Sequence, residues 1–394
     1  MTSIPAVSRR TFVGGVATAI GAIGVGSPLD LLAQQGTPPA RPRDQRPPDD
    51  YDTLAKLANN ENPYGPSEAV LQAMTKAFKY ANRYGYPDGN LTEQIAKHHG
   101  VKTEQVMIAA GSGEILDVCC TALLQDDNKK IVGSDPSYEI LYSQASSLKA
   151  GDTIRIPLLA DFRQDIPAMI RATKKNHRQI GFVYLCNPNN PTGRIVTRDE
   201  VRQLLDGIPE DVPVLIDEAY HHFVEDPAYE TSMKYVTEGR AVIVARTFSK
   251  IAGLAGMRLG YAIAPREQLQ VLRPWATGSV NACVRWGGVA ALADKEGEAR
   301  VRQVTLEQRK KAVSELKTLG YDCIPSEANF FMVHIKRPVQ PVIEEFRKKG
   351  VLVGRPFPPL NESLRVSIGT PDEMSRFMVA FREIMGPAKS ASGG

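Results

Sequence analysis

The stretch VIVARTFSKIAGLAGMRLG, Val242 to Gly260, decides how this chain folds. It opens as a continuous apolar strand and places Lys250 a few residues past the strand's end. It then runs through glycines and sets Arg258 eight residues beyond the lysine. An apolar run without alternation suits a strand covered on both faces. Three more runs repeat the pattern: VMIAA (Val106–Ala110) before GSGEILDVCCTALL, IGFVYL (Ile180–Leu185) before CNPNNPTG, and VPVLI (Val212–Ile216) before DEAY. Strands alternating with helical patterns predict an α/β chain with a large, mostly parallel, doubly covered sheet. In such sheets ligands bind beyond the carboxyl ends of the strands, where Lys250 lies.

The rest of the sequence frames that sheet. Its 394 residues are 42% hydrophobic and 23% charged, an ordinary globular composition. A net charge of +4 with no basic stripe interleaved with aromatics excludes nucleic acid as a partner. Five scattered cysteines, Cys119, Cys120, Cys186, Cys283 and Cys323, form no disulfide framework and read as buried reduced thiols. His221 and His222 directly follow DEAY, but adjacent residues rarely face one ligand, so no metal is assigned. His98, His99 and the lysine pairs read as solvated helix faces.

Near the N-terminus, Arg9 and Arg10 precede VGGVATAIGAIGVG (Val13–Gly26), a run too short and too glycine-rich to span a membrane. The pattern resembles a twin-arginine export signal covering residues 1–33, with a loose cleavage match near Ala33, and predicts a periplasmic protein. Residues 34–52 form a proline-rich linker. Residues 76–289 are expected to form the large domain. Residues 53–75 and 290–386 are expected to form a smaller α+β domain, and 387–394 a tail.

Polar groups gather just past the apolar strands: Ser112 and Gly113, Asn190, Asp217 and Tyr220, then Thr247, Ser249, Lys250 and Arg258. A lysine held in an apolar site loses its ammonium readily and forms an imine with an aldehyde. Asp217, ending a buried strand, needs a cationic partner, and a protonated pyridine nitrogen is one. GSGE at a helix start offers N–H groups to an anion, and Thr247, Ser249 and Arg258 complete a phosphate cup. Together these requirements describe pyridoxal phosphate. Taken singly, each has a plainer explanation. Lys250 alone would be a solvated loop lysine, Asp217 a helix N-cap and GSGEIL a simple turn.

The chain resembles the fold-type I, class I/II pyridoxal-phosphate aminotransferases, and most closely their histidinol-phosphate aminotransferase branch. The resemblance runs from about Leu54 to Arg382. It rests on ENPYGPS (Glu61–Ser67), YPDGN (Tyr86–Asn90), GSGEIL, DPSYEIL (Asp135–Leu141), NPNNPTG (Asn187–Gly193), DEAY, TFSK, Arg258 and LRVSIGT (Leu364–Thr370). It implies an aspartate-aminotransferase-like fold and a set of roles. Lys250 would form the imine and shuttle the proton, and Asp217 would keep the ring nitrogen protonated. Tyr220 and Asn190 would bond the ring's 3-oxygen, and Tyr138 would stack on the ring. Ser112, the Gly113 and Glu114 N–H groups, Thr247, Ser249 and Arg258 would bind the phosphate, as would Tyr86 of a partner subunit, which implies a homodimer. Tyr64, Asn190, Arg355 and Arg365 would face the substrate.

The implied reaction moves an amino group between an amino acid, or histidinol phosphate, and a 2-oxo acid in two half-reactions. In this family the match to Arg365 takes either a carboxylate or a phosphate. Histidine synthesis is cytoplasmic, so the export signal favours the amino acid. Two departures from the family pattern stand out: VGRPFPP inserts Gly354 beside Arg355, and Tyr84 rivals Tyr86. The same lysine chemistry also serves oxidases, lyases and decarboxylases, and a non-catalytic binding protein is the remaining alternative.

Overall fold

The computed structural model describes residues 50–126, 128–148 and 152–387. The twin-arginine segment, most of the linker and nearly all of the tail lie outside the described residues. In chain order the strands are β1 (Ala55–Leu57), β2 (Val106–Ala109), β3 (Lys130–Asp135), β4 (Asp152–Pro157), β5 (Ile180–Cys186), β6 (Val214–Asp217), β7 (Val242–Thr247), β8 (Gly260–Ile263), β9 (Cys323–Ile324), β10 (Phe330–His334), β11 (Val351–Val353) and β12 (Ser363–Ser367). The large sheet runs β2-β8-β7-β6-β5-β3-β4. Its neighbours from β4 to β7 are parallel, and β8 runs antiparallel to both β7 and β2.

Successive side chains on a strand point to opposite faces, and here both faces are covered. On β7, Val242 and Val244 enter one hydrophobic core while Ile243 and Ala245 enter a second. β5 divides the same way, with Val183 and Leu185 against Phe182, Tyr184 and Cys186. Two buried faces are why these strands read as unbroken apolar runs. Helix Arg198–Gly207 feeds Val201, Leu204 and Leu205 to the first core. Helix Ser112–Leu123 feeds Ile115, Leu116 and Cys119 to the second.

A three-stranded antiparallel sheet, β12-β10-β9, and a parallel pair, β1 with β11, complete the strands. They share a third core in which Leu57, Phe331, Phe346, Phe377 and Phe381 are fully buried. Chain after Val351 thus pairs with chain before Ala58, which delivers the segment following β1 to the carboxyl edge of the large sheet.

No α-helix begins at Asp217, which removes the plainer helix N-cap alternative; the chain turns instead into a short 3₁₀ segment at His221–Phe223. One sequence expectation is corrected here. His99 does not lie on a solvated face, because its Nε2 meets the Tyr261 hydroxyl at 2.9 Å and burial lowers its pKa to about 3. No helix among the described residues is long and apolar enough to cross a membrane.

Candidate active site

The strand ends deliver the site. β6 carries Asp217 at its last position and β7 carries Thr247 at its own, both on the faces that Leu215 and Ala245 turn toward the second core. Asp217 is buried, and among the described residues its carboxylate accepts the Ala219 N–H at 3.2 Å and a long contact from the Tyr184 hydroxyl at 3.5 Å. Burial raises its pKa to about 6. Lys250, three residues past β7, is partly buried and donates to the Asn59 carbonyl at 3.3 Å. Its Nζ stands 5.5 Å from the Tyr220 ring centroid. Desolvation, followed by the Arg365 charge, lowers its pKa to about 8.

Tyr220 is buried, and its hydroxyl accepts from Asn60 Nδ2 at 3.1 Å and from Asn190 Nδ2 at 3.4 Å. Asn190 in turn accepts from Arg365 Nη1 at 2.7 Å. The Tyr138 side chain approaches closely enough to raise the pKa of both Tyr220 and Arg365 as a minor influence.

A second cluster lies where helix Ser112–Leu123 begins. Gly111 precedes it at φ +85°, and the Arg258 guanidinium fills the space a Gly111 side chain would take. Gly113 faces the same guanidinium. Arg258 itself has the left-handed φ of +60°, uncommon for a residue with a side chain. Its Nη1 donates to Ser249 Oγ at 3.4 Å, and Ser249 Oγ accepts from Thr247 Oγ1 at 2.9 Å. Glu114 departs from its expected role. Its N–H is already donated to the Gly111 carbonyl, while its carboxylate accepts from the Ala110 N–H and from the Thr277 N–H and hydroxyl. Glu114 therefore braces the loop at Thr277.

Arg365 lies on β12, buried, with its Nη2 donating to the Ala58 carbonyl at 2.6 Å. Its guanidinium carbon stands 4.5 Å from the Phe357 ring centroid, and Arg355 approaches the same ring at 4.3 Å. Desolvation lowers the pKa of Arg365 to about 10. Among the described residues no carboxylate pairs with Arg258, Arg355 or Arg365.

Tyr86 donates to the Val280 carbonyl at 2.8 Å and stacks on Tyr80, while Tyr84 is fully exposed. Tyr64 lines a cavity of about 180 Å³ with Asn62 and Ile251. Among the described residues no group of three or more histidine, cysteine or acidic side chains is placed to hold a metal.

Sequence reasoning missed Asn60, Tyr184 and the Glu218–Arg246 pair. Asn60 had one signal, an asparagine just after a short strand, where its tolerance of left-handed backbone is used at φ +55°. Glu218 and Arg246 are charged residues within or beside apolar runs, and such residues must pair when buried. They do, at 2.6 Å.

The profile of the aminotransferase class I and II family matches residues 52–381. A histidinol-phosphate aminotransferase of Moorella thermoacetica is 39% identical over 339 residues, covering 84% of this chain and 86% of the relative. The crystal structure of histidinol-phosphate aminotransferase from Sinorhizobium meliloti in complex with pyridoxal-5'-phosphate superimposes with a TM-score of 0.78 at 23% identity, over 89% of this chain and 99% of that one. Aspartate aminotransferase from Thermus thermophilus with maleate follows at 0.72 and 20%, over 97% and 100%. These two structures share the fold, and the sequence match is what fixes the lineage. A buried aspartate, a crowded lysine and an arginine-lined cup thus stand on a chain that belongs to the class I and II aminotransferases.

Proposed function

We propose that this chain is a pyridoxal-phosphate-dependent aminotransferase that moves an amino group from an anionic amino donor to a 2-oxo acid. The observation that carries the reading is Asp217. A carboxylate in that much protein, with one short hydrogen bond and no paired cation among the described residues, is costly unless a protonated ring nitrogen meets it. The phosphate cup fits as well, because Gly111 and Gly113 leave the Arg258 guanidinium facing the start of helix Ser112–Leu123.

When bound, pyridoxal phosphate supplies an aldehyde that condenses with amines and a ring that accepts the electron pair left at Cα. Lys250 would anchor the aldehyde and then, as a free amine, move the Cα proton; a pKa near 8 keeps a usable neutral fraction at mildly alkaline pH. Asp217 would hold the proton on the ring nitrogen, and Tyr220 would donate to the ring's 3-oxygen. Ser112, Gly113, Thr247, Ser249 and Arg258 would hold the phosphate, and Tyr138 the ring face. Arg365, buried without a counter-ion, would take the donor's anionic group, with Arg355 close by across Phe357.

Homodimerisation through the Tyr86 region and export by the twin-arginine segment are parts of the same proposal. Recovery of the protein only from the cytosol, with Arg9 and Arg10 intact, would remove the export part. For the reaction, the test is a visible spectrum of the purified holoprotein with a panel of amino acids and histidinol phosphate, with peroxide assayed in parallel. A yellow band that bleaches without peroxide and returns with a 2-oxo acid is expected. Bleaching only with oxygen consumption would move the enzyme to the oxidases.

A further inference from the structure

The three residues after β1 touch three parts of the site in succession. The Ala58 carbonyl accepts from Arg365, the Asn59 carbonyl accepts from Lys250, and the Asn60 amide donates to Tyr220. Asn60 is the most constrained of them. Its N–H donates to Ser367 Oγ at 2.8 Å, its Oδ1 accepts the Ser367 hydroxyl at 2.9 Å, and its carbonyl accepts from Asn329 Nδ2 at 3.1 Å.

The hydrogen bonds around both amides set how they face Tyr220. Ser367 Oγ receives the Asn60 N–H and gives its own proton to Asn60 Oδ1, which leaves Nδ2 for the phenol. An arginine only donates, so Asn190 Oδ1 is the atom at Arg365 and its Nδ2 also faces the phenol. The Tyr220 oxygen thus accepts twice, and among the described residues nothing accepts its proton. That proton is left to be donated away from both amides.

We propose that Asn60 is a positioning residue that occupies the Tyr220 oxygen as a donor and thereby commits the Tyr220 hydroxyl to donating into the cofactor site. The proposal rests on the pyridoxal-phosphate reading above. Burial dominates the raised pKa of Tyr220, with the Asn60 amide acting against it.

Two variants test it in the holoprotein. Asn60→Asp keeps the shape and the left-handed backbone but presents an acceptor, so the phenol turns back toward it. Asn60→Gly tolerates φ +55° and leaves the amide's place to water, which can accept the phenol's proton. The readout is the pH at which the yellow band titrates, taken with thermal stability and separate kcat and KM values. Without committed donation, an anionic ring oxygen is less stable, so the band should titrate about one unit higher, a ~10-fold change in proton affinity. In both variants kcat should fall ~10-fold, with KM within ~3-fold. A band that titrates as in the unmodified protein, with activity lost only in step with stability, would overturn the proposal. So would a shift seen in Asn60→Asp alone, since that would be an effect of the introduced charge. An unmodified protein that binds pyridoxal phosphate but shows no yellow band would instead refute the cofactor reading itself.

Discussion

Replacing Arg246 with methionine tests whether the strand ends are held by charge. The guanidinium meets Glu218 Oε2 through Nε at 3.0 Å and Nη2 at 2.6 Å, with side-chain exposures of 5% and 0%. Glu218 also accepts the Thr231 hydroxyl and the Ser232 N–H. The pair ties the end of β6 to the end of β7 on the face of Val244, opposite the face that carries Asp217 and Thr247. Methionine refills the stem's volume but leaves a buried carboxylate with two neutral donors. Removing one partner of such a pair costs about 3–5 kcal/mol, whereas an exposed pair contributes at most about 1. With an unfolding entropy of about 2 cal/mol/K per residue over roughly 330 residues, the melting temperature should fall by about 4–7 °C. Adding Glu218→Gln removes the stranded charge and should recover more than half of the loss. Calorimetry of the apoprotein variants measures both. A fall of under about 1 °C for Arg246→Met, or no recovery in the double variant, would refute the reasoning.

Other expectations follow from single positions. Gly111→Ala must take a side chain at φ +85° into the space of the Arg258 guanidinium, whose Cζ would lie 2.8 Å away. Cofactor affinity, read by fluorescence titration of apoprotein, should weaken ~10–100-fold, the loss of one charge-assisted hydrogen bond. Burial raises Asp217 from 3.8 to about 6, so the folded apoprotein holds that proton more tightly than the unfolded chain. This contribution is complete below pH 3.8 and is lost as pH rises through about 6. Melting temperature measured against pH should therefore fall across that window relative to Asp217→Asn, and run parallel to it above. At Gly354 an added Cβ would lie 2.8 Å from the Arg365 carbonyl and 3.3 Å from its Nε. Gly354→Ala should raise donor KM ~10-fold while leaving kcat within ~3-fold and the yellow band unchanged.

Most of the large sheet was legible because its signals are local. Apolar runs fully buried on two faces look the same in sequence as in space, and each is followed within a few residues by its polar group, as Thr247 is by Ser249 and Lys250. Lys250, Asp217, Tyr220 and the Ser249–Arg258 cup could therefore be read from the chain before any contact was known. The local pattern misled at His99, where an adjacent histidine pair looked solvated; its surroundings depend on Tyr261, which another segment brings against it.

What the sequence by itself determined is the chemistry: an amine, a carboxylate, a phenol and a cationic cup at the ends of successive strands. Tertiary structure decided their polarity and their company. Asn60 lies 160 positions from Tyr220 and 307 from Ser367, and it meets both because β1 pairs with β11 while β12 runs back alongside β10. Arg365 and Asn190, 175 positions apart, meet by the same closure. No periodicity encodes such contacts. A hydrogen bond's direction depends on which donors and acceptors the fold brings within about 3 Å of each other, and that is settled only when distant strands pack.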